Sequence, residues 1–218
     1  MEVTPITVHY LFGANSYLLK TDAGYHLIDT GIAKKRGQLE KQLEEAGCRL
    51  GDLKLIIITH GHLDHMGNAA YLKDRCGAKV AMHRGDLKMV ETGDMFADAG
   101  GGATIRLVGF LMKALGLSDY EKFTPDIYVE DGQDLSPFGL KAIVMHTPGH
   151  SNGSISVLTE EGDLFCGDLF NNSGKPVRAS LVQDAGQLEA SVQKVKALGD
   201  VKVYPGHGKP FRMMQLEE

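Results

Sequence analysis

The segment LKLIIITHGHLDHMG, residues 53–67, joins an apolar run to four side chains that can bind metals. The apolar run lacks the alternation of polar and apolar residues, which predicts a strand buried on both faces. The side chains that follow it are His60, His62, Asp64 and His65. Because alternate residues of an extended segment share a face, His60 and His62 can converge on one metal ion. Asp64 and His65 are better placed to turn toward a second one.

Three later segments repeat this arrangement of a polar loop after an apolar strand. His150 lies in TPGHSNGS after LKAIVMH, Asp168 closes DLFCGD, and His207 lies in YPGHG after VKVY. Loops at strand ends, held by a rigid sheet, are common places for binding and catalytic residues. A solvated turn would explain any one of these residues, but it would leave the ordered set unexplained.

The composition is that of an ordinary globular chain. Its 218 residues, 43% hydrophobic and 23% charged, are enough for one domain with a substantial core. The formal net charge of −5 and the lack of a Lys/Arg run disfavour nucleic-acid and membrane partners. No apolar run reaches the ~20 residues that span a bilayer. Three cysteines without a CxxC pair, and an N-terminus without a secretory pattern, predict a cytoplasmic location.

The order of predicted elements indicates two packed α/β halves. Strands open the chain, and a helix over KKRGQLEKQLEEAG precedes the apolar strand. A second series of strands ends with the helix AGQLEASVQKVKAL and the strand VKVYP. Between the halves, residues 84–125 are helix-like on both sides of the break at Gly100–Gly102. This insertion predicts either a lid over the site or an apolar contact within the core or a homodimer, and both alternatives stay open.

The ordered motifs His-x-His-x-Asp-His, Gly-His-Ser, Gly-Asp and Gly-His, together with LIDTG at residues 27–31, resemble those of the metallo-β-lactamase fold superfamily. The resemblance spans nearly the whole chain. It implies a single α/β domain over residues 1–218, built as a four-layer αββα sandwich of two mixed sheets flanked by helices. It also implies two metal sites joined by a bridging aspartate: His60, His62 and His150 for one metal, Asp64, His65 and His207 for the other, and Asp168 between them.

Two further residues are predicted to support the ligands. By the resemblance, Asp29 of LIDTG would orient a ligand histidine and raise its basicity. His146 lies four residues before His150, too far along an extended segment for the two to share a metal easily. It is therefore predicted to be a structural residue or one that supports a ligand.

The donor set indicates the metals and their chemistry. Imidazole and carboxylate ligands suit Zn²⁺ and also accept Fe or Mn, so two divalent ions per chain are expected, with zinc preferred. Such a pair would lower the pKa of bound water toward ~7. The residual positive charge would favour an anionic substrate or a developing oxyanion. Asp64 is the expected proton acceptor.

The resemblance does not by itself select a reaction, because the superfamily includes several hydrolases and some redox enzymes. Long glyoxalase II enzymes carry a C-terminal helical domain that binds glutathione, but only a short segment follows His207 here. The prediction is a compact hydrolase of a small ester, thioester or lactone. The alternatives are an enzyme resembling a mononuclear iron persulfide dioxygenase and a metal-stabilised binding protein without turnover.

Overall fold

The computed structural model describes residues 1–8, 13–93 and 120–217 of the chain. Most of the insertion predicted at residues 84–125 lies outside the described residues, so its two interpretations stay predictions. Among the residues described, no helix is long and apolar enough to cross a membrane.

The first sheet combines an antiparallel half with a parallel half. Its first three strands pair antiparallel, and the remaining three continue the sheet in parallel. In order across the sheet, the strands are β1 (Glu2–Val8), β2 (Ala14–Thr21), β3 (Gly24–Ile28), β4 (Leu53–Ile57), β5 (Lys79–Met82) and β6 (Ile127–Tyr128).

The second sheet is also mixed. Its spatial order is β12-β11-β9-β8-β7, with β10 paired to β9. The β9–β11 pair is parallel, and the other pairs are antiparallel. The strands are β7 (Ala142–His146), β8 (Ile155–Thr159), β9 (Asp163–Asn172), β10 (Val177–Arg178), β11 (Lys202–Gly208) and β12 (Phe211–Arg212).

The α-helices within the described residues are α1 (Arg36–Glu45), α2 (Leu63–Met66), α3 (Ala69–Cys76), α4 (Leu87–Thr92) and α5 (Ala185–Lys196). Of these, α1 and α5 lie where the sequence predicts helices. The longest, α5, buries one face through Leu188, Val192 and Val195, at helical spacing. Asp184, directly before the helix, caps it, because its side chain accepts a hydrogen bond from the backbone N–H of Gln187.

Three apolar clusters give the fold four layers. One cluster lies between the first sheet and helices α1, α3 and α4, a second lies between the two sheets, and a third lies between the second sheet and α5. Strand β4 contributes to two of them, because Leu55 and Ile57 face the second sheet while Ile56 faces the helices. The predicted αββα sandwich and the strand buried on both faces are thus confirmed.

Two ligand candidates lie inside strands, where the sequence predicted loops. Asp168 is within β9 and His207 is within β11. The parallel pairing of these strands shifts register after Tyr204, and Gly167 adopts a φ of +50° there. A bulge of this kind bends a strand and redirects a side chain without ending the pairing. The strands therefore continue past the residues that the sequence suggested would terminate them.

Candidate metal centre

The histidine-rich segment leaves the end of β4 and enters α2. His60 is buried, and His62 keeps an extended backbone with a φ of −79° and a ψ of 147° directly before the helix. Asp64 and His65 lie within α2. Because the backbone changes from extended to helical after His62, the first two side chains and the last two are directed to different places, as the sequence predicted.

The first group of candidate metal ligands consists of His60, His62 and His150. The Nε2 atom of His150 lies 3.0 Å from the Nδ1 atom of His62, and each ring centroid lies 4.7 Å from the other two. The Nδ1–H of His150 donates to the Leu181 carbonyl at 2.7 Å, which leaves Nε2 directed inward. The two histidines of the β4 loop therefore meet a third one from the loop after β7.

The second group consists of Asp64, His65 and His207. The Nε2 atom of His207 lies 3.4 Å from Oδ2 of Asp64, and that of His65 lies 3.8 Å from the same oxygen. The Nδ1–H of His207 donates to the Gly13 carbonyl at 2.9 Å. This bond fixes the ring so that Nε2 faces the group.

Asp168 lies between the two groups. Its Oδ2 atom is 3.6 Å from Nε2 of His150 and 3.3 Å from Nε2 of His207. Its Oδ1 atom is 3.4 Å from Nε2 of His65. The single carboxylate therefore faces ligands of both groups, which is the position required of a bridging residue.

Three buried polar atoms show that the centre fits a cation. Nε2 of His60, Nε2 of His65 and Oδ1 of Asp168 are buried and have no hydrogen-bond partner. An unpaired buried polar atom costs about 1–3 kcal/mol, so native structures rarely keep several together. Within each of three overlapping sets of side chains, one ligand atom from each residue lies within 4.8 Å of the others: His60, His62 and His150; His60, His65 and Asp168; and Asp64, His65 and His207. The donor set of imidazole nitrogens and carboxylate oxygens matches divalent transition metals.

Two histidines of the first group, His60 and His62, are neutral at neutral pH. Burial, together with the neighbouring His150, lowers the pKa of His62 to about 3. Burial also lowers the pKa of His60 well below its usual value. Both imidazoles are therefore already in the form that binds a metal at neutral pH.

The second group holds protons instead. Burial alone would lower the pKa of His65, but the charges of Asp168 and Asp64 raise it to about 9. Burial would likewise lower the pKa of His207, and hydrogen bonds to the same two carboxylates raise it to about 11. Without a metal, the two imidazolium ions thus neutralise the carboxylates of this group.

Metal binding at the second group is expected to release protons and to strengthen as the pH rises. A metal must displace the protons of His65 and His207, so its affinity should increase from pH 7 toward the His65 pKa of about 9. In the first group, His60 and His62 should release no protons over that range, since burial lowers the pKa of His60 well below its usual value and that of His62 to about 3. Calorimetric zinc titrations in buffers of different ionisation enthalpy measure the protons released. Equal proton release by the two metal equivalents would contradict this assignment.

Asp29 supports the second group. The Nδ1–H of His65 donates to its Oδ2 atom at 2.9 Å, and Thr59 donates its backbone N–H to Oδ1 at 2.8 Å and its hydroxyl to Oδ2 at 2.7 Å. Asp29 has a φ of +59°, a backbone conformation that few residues other than glycine, Asn and Asp adopt. The carboxylate thus contacts a ligand histidine, at the place where the resemblance put it.

Two supporting residues were missed from the sequence. The hydroxyl of Thr59 lies 3.0 Å from Nδ1 of His60 and, because it donates to Asp29, it accepts from that ring. Asn68 is fully buried, and its side-chain amide donates a hydrogen bond to the Thr30 carbonyl at 2.8 Å. This bond holds the backbone that directly follows α2. The only signal in the sequence was a polar residue at each end of the ligand motif.

His146 lies outside both ligand groups. Its ring stacks on that of His83, with centroids 4.0 Å apart and an angle of 19°, and its Nε2–H donates to the Asn152 carbonyl at 3.0 Å. His146→Ala is therefore expected to keep the full metal content, which elemental analysis of the purified variant measures. Loss of a whole metal equivalent would show that the ligand assignment is wrong.

Comparisons with known proteins agree with this geometry. The model of the metallo-beta-lactamase superfamily matches residues 9–207. A hydroxyacylglutathione hydrolase of Francisella philomiragia is 33% identical over 84% of this chain and 61% of its own length. Hydroxyacylglutathione hydrolase GloC of Haemophilus influenzae is 28% identical over 95% of this chain and 90% of its own length. The chain spans only 54 to 61% of the length of three of the curated relatives it matches.

A solved structure shows the same architecture. The crystal structure of TTHA1623 in a di-iron-bound form superposes with a TM-score of 0.76 and 27% identity, over 98% of this chain and 96% of that one. The fold of the present chain is thus also that of a protein solved in a di-iron-bound form.

Proposed function

The chain belongs to the metallo-beta-lactamase superfamily, and from this premise we propose that it is a hydrolase that uses two divalent metal ions, zinc being expected, to cleave a small thioester, ester or lactone. The observation that carries the proposal is the pair of ligand groups facing one carboxylate, Asp168. Hydrolases with paired metals use this arrangement to activate water and polarise a carbonyl in one site.

The second ligand group favours two metals over one. Three histidines, such as the group of His60, His62 and His150, are enough to hold a single metal. Here Asp64, His65 and His207 form a complete second set of donors, and Nε2 of His65 is buried without a hydrogen-bond partner. This unpaired nitrogen supports a binuclear centre and disfavours the mononuclear iron alternative.

Metals bound there would supply Lewis acidity and a coordinated water with a pKa near ~7. Asp64 is suited to receive the proton from that water. Burial would raise its pKa, but the charge of His65 and the hydrogen bond from His207 lower it to about 2, so its carboxylate is ionised at neutral pH.

The names of the relatives and the charge of the centre support the proposed substrate class. The relatives named as hydroxyacylglutathione hydrolases support an acyl thioester as the first candidate. Two dications and two aspartates, Asp64 and Asp168, leave the centre formally positive. A positive centre stabilises the oxyanion that forms when a thioester carbonyl is attacked.

Metal analysis followed by a substrate panel tests the proposal. We expect about two metal equivalents per chain, and hydrolysis of a hydroxyacyl thioester that falls by more than about 100-fold after chelation and returns with zinc. The panel should include an oxygen ester, a lactone and a phosphodiester. One iron per chain with oxygen uptake would instead support a dioxygenase. If the chain holds its full metal content but hydrolyses no substrate of the panel, the result would support a binding protein.

A further inference from the structure

The first ligand group is assembled from two loops that are distant in sequence. His60 and His62 belong to the loop after β4, whereas His150 belongs to the loop after β7. Nevertheless, Nδ1 of His62 and Nε2 of His150 lie only 3.0 Å apart. A contact between the two loops must therefore set the spacing of the three imidazoles.

A buried carboxylate that belongs to neither group makes this contact. Asp86 lies in the turn before α4 and is completely buried. Its Oδ2 atom accepts the backbone N–H of Gly61, the residue between His60 and His62, at 2.8 Å. The same oxygen accepts the hydroxyl of Ser151, the neighbour of His150, at 2.6 Å.

The second oxygen of Asp86 contacts the loop after β7 at another residue. Oδ1 accepts the backbone N–H of Gly153 at 2.7 Å. Three directional hydrogen bonds to one carboxylate thus connect the two loops. Hydrogen bonds to a charged acceptor are shorter and stronger than those between neutral groups, so the connection is rigid.

The glycines around Asp86 allow this close approach. A Cβ atom at Gly153 would lie 2.6 Å from Cγ of Asp86, and one at Gly61 would lie 3.1 Å from its Cβ. A Cβ atom at Gly85 would lie 2.6 Å from the Asn152 carbonyl oxygen. The backbones of the two loops therefore pack directly around the carboxylate, and side chains at these positions would separate them.

We propose that Asp86 is a positioning residue, which fixes the distance between the two loops and thereby sets the metal affinity of the group His60, His62 and His150. The proposal rests on the proposed function, because that function assigns a metal to this group. Asp86 touches neither a ligand side chain nor the second group in these contacts. Its effect should therefore be selective for one of the two metals.

The variant Asp86→Asn tests this selectivity. The amide has the same size but replaces one acceptor oxygen with a donor, so it cannot accept all three hydrogen bonds. Zinc affinity is measured by chelator competition in two backgrounds: His207→Ala, which leaves the first group, and His150→Ala, which leaves the second. We expect about a 10-fold weaker affinity in the first background, the lower end of the effect of residues that orient ligands. In the second, we expect a change below about 2-fold.

Two further variants control the experiment. Asp126→Asn alters another aspartate that accepts a backbone N–H, that of Val80 at 2.9 Å, away from the metal centre, and it should change neither affinity. Ser151→Ala removes the hydroxyl bond to Asp86 and the 2.7 Å contact with the Ser154 hydroxyl, but leaves the bonds from Gly61 and Gly153, so zinc affinity in the first background should fall by a smaller factor. If Asp86→Asn does not fold, Ser151→Ala decides the question.

Equal losses in both backgrounds would mean that Asp86 only maintains the fold, and unchanged affinity in a folded variant would mean that it positions nothing. Either result overturns the proposal. Failure of the proposed function is distinguishable, because it would appear in the unmodified chain as one metal equivalent or as no hydrolysis. The affinity of the first group could still be compared between the unmodified and variant chains.

Discussion

Replacing Asp168 with alanine is expected to remove one metal equivalent and to reduce hydrolysis by about 1,000-fold, or about 4 kcal/mol of activation free energy. The physical reason is its position, since one carboxylate lies 3.6 Å from a ligand of the first group and 3.3 Å from a ligand of the second. Without it, His65 and His207 would also lose the charge that raises their pKa values. The second group would then have a single carboxylate, that of Asp64.

The fold should survive this substitution. Strand β9 keeps its backbone pairing with β8 and β11, and neither pairing involves the Asp168 side chain. Elemental analysis, steady-state kinetics and a circular dichroism melt measure the three expectations. Asp163→Ala is the matched control, because Asp163 lies in the same strand but outside both ligand groups. An unchanged metal content in Asp168→Ala would refute its bridging position.

The parts of the site that the sequence predicted are those with local signals. The uninterrupted apolar run of β4 and the spacing of His60 and His62 depend on neighbouring residues, and both predictions agree with the structure. The loop positions of Asp168 and His207 were wrong because they depend on pairing between distant strands. The register shift between β9 and β11, with Gly167 close to Thr59, is set by tertiary packing and has no local pattern.

Asp86 illustrates what a single sequence cannot reveal. In the stretch HRGD it looks like an exposed turn residue before a short helix, yet it is completely buried. Its partners Gly61, Ser151 and Gly153 come from two other segments of the chain. Only the packing of the two loops makes a carboxylate necessary there, so propensity and periodicity carry no signal for it.

Asp29 is the second residue whose substitution should strongly change metal binding. Its two oxygens accept three hydrogen bonds, two from Thr59 and one from Nδ1 of His65. The bond to His65 fixes which ring nitrogen faces the metals and increases the basicity of that nitrogen. The bonds to Thr59 anchor the residue before His60. One carboxylate therefore stabilises the starting points of both ligand groups.

Asp29→Asn is expected to weaken metal binding at the second group by about 10–100-fold, the effect typical of residues that orient a metal-binding histidine. Asparagine tolerates the φ of +59° at this position, whereas alanine would add backbone strain, so Asn isolates the loss of the carboxylate. Zinc affinity by chelator competition and kcat on the thioester are the measurements. Thr59→Val is the matched control for the second group, because it removes a hydroxyl that contacts Asp29 and His60 but leaves the bond between Asp29 and His65, so zinc affinity at the second group should stay nearly unchanged. If the zinc affinity of Asp29→Asn lies within about 2-fold of that of the unmodified chain, packing alone holds the His65 ring. Such a change would be far below the effect expected of a residue that orients a ligand.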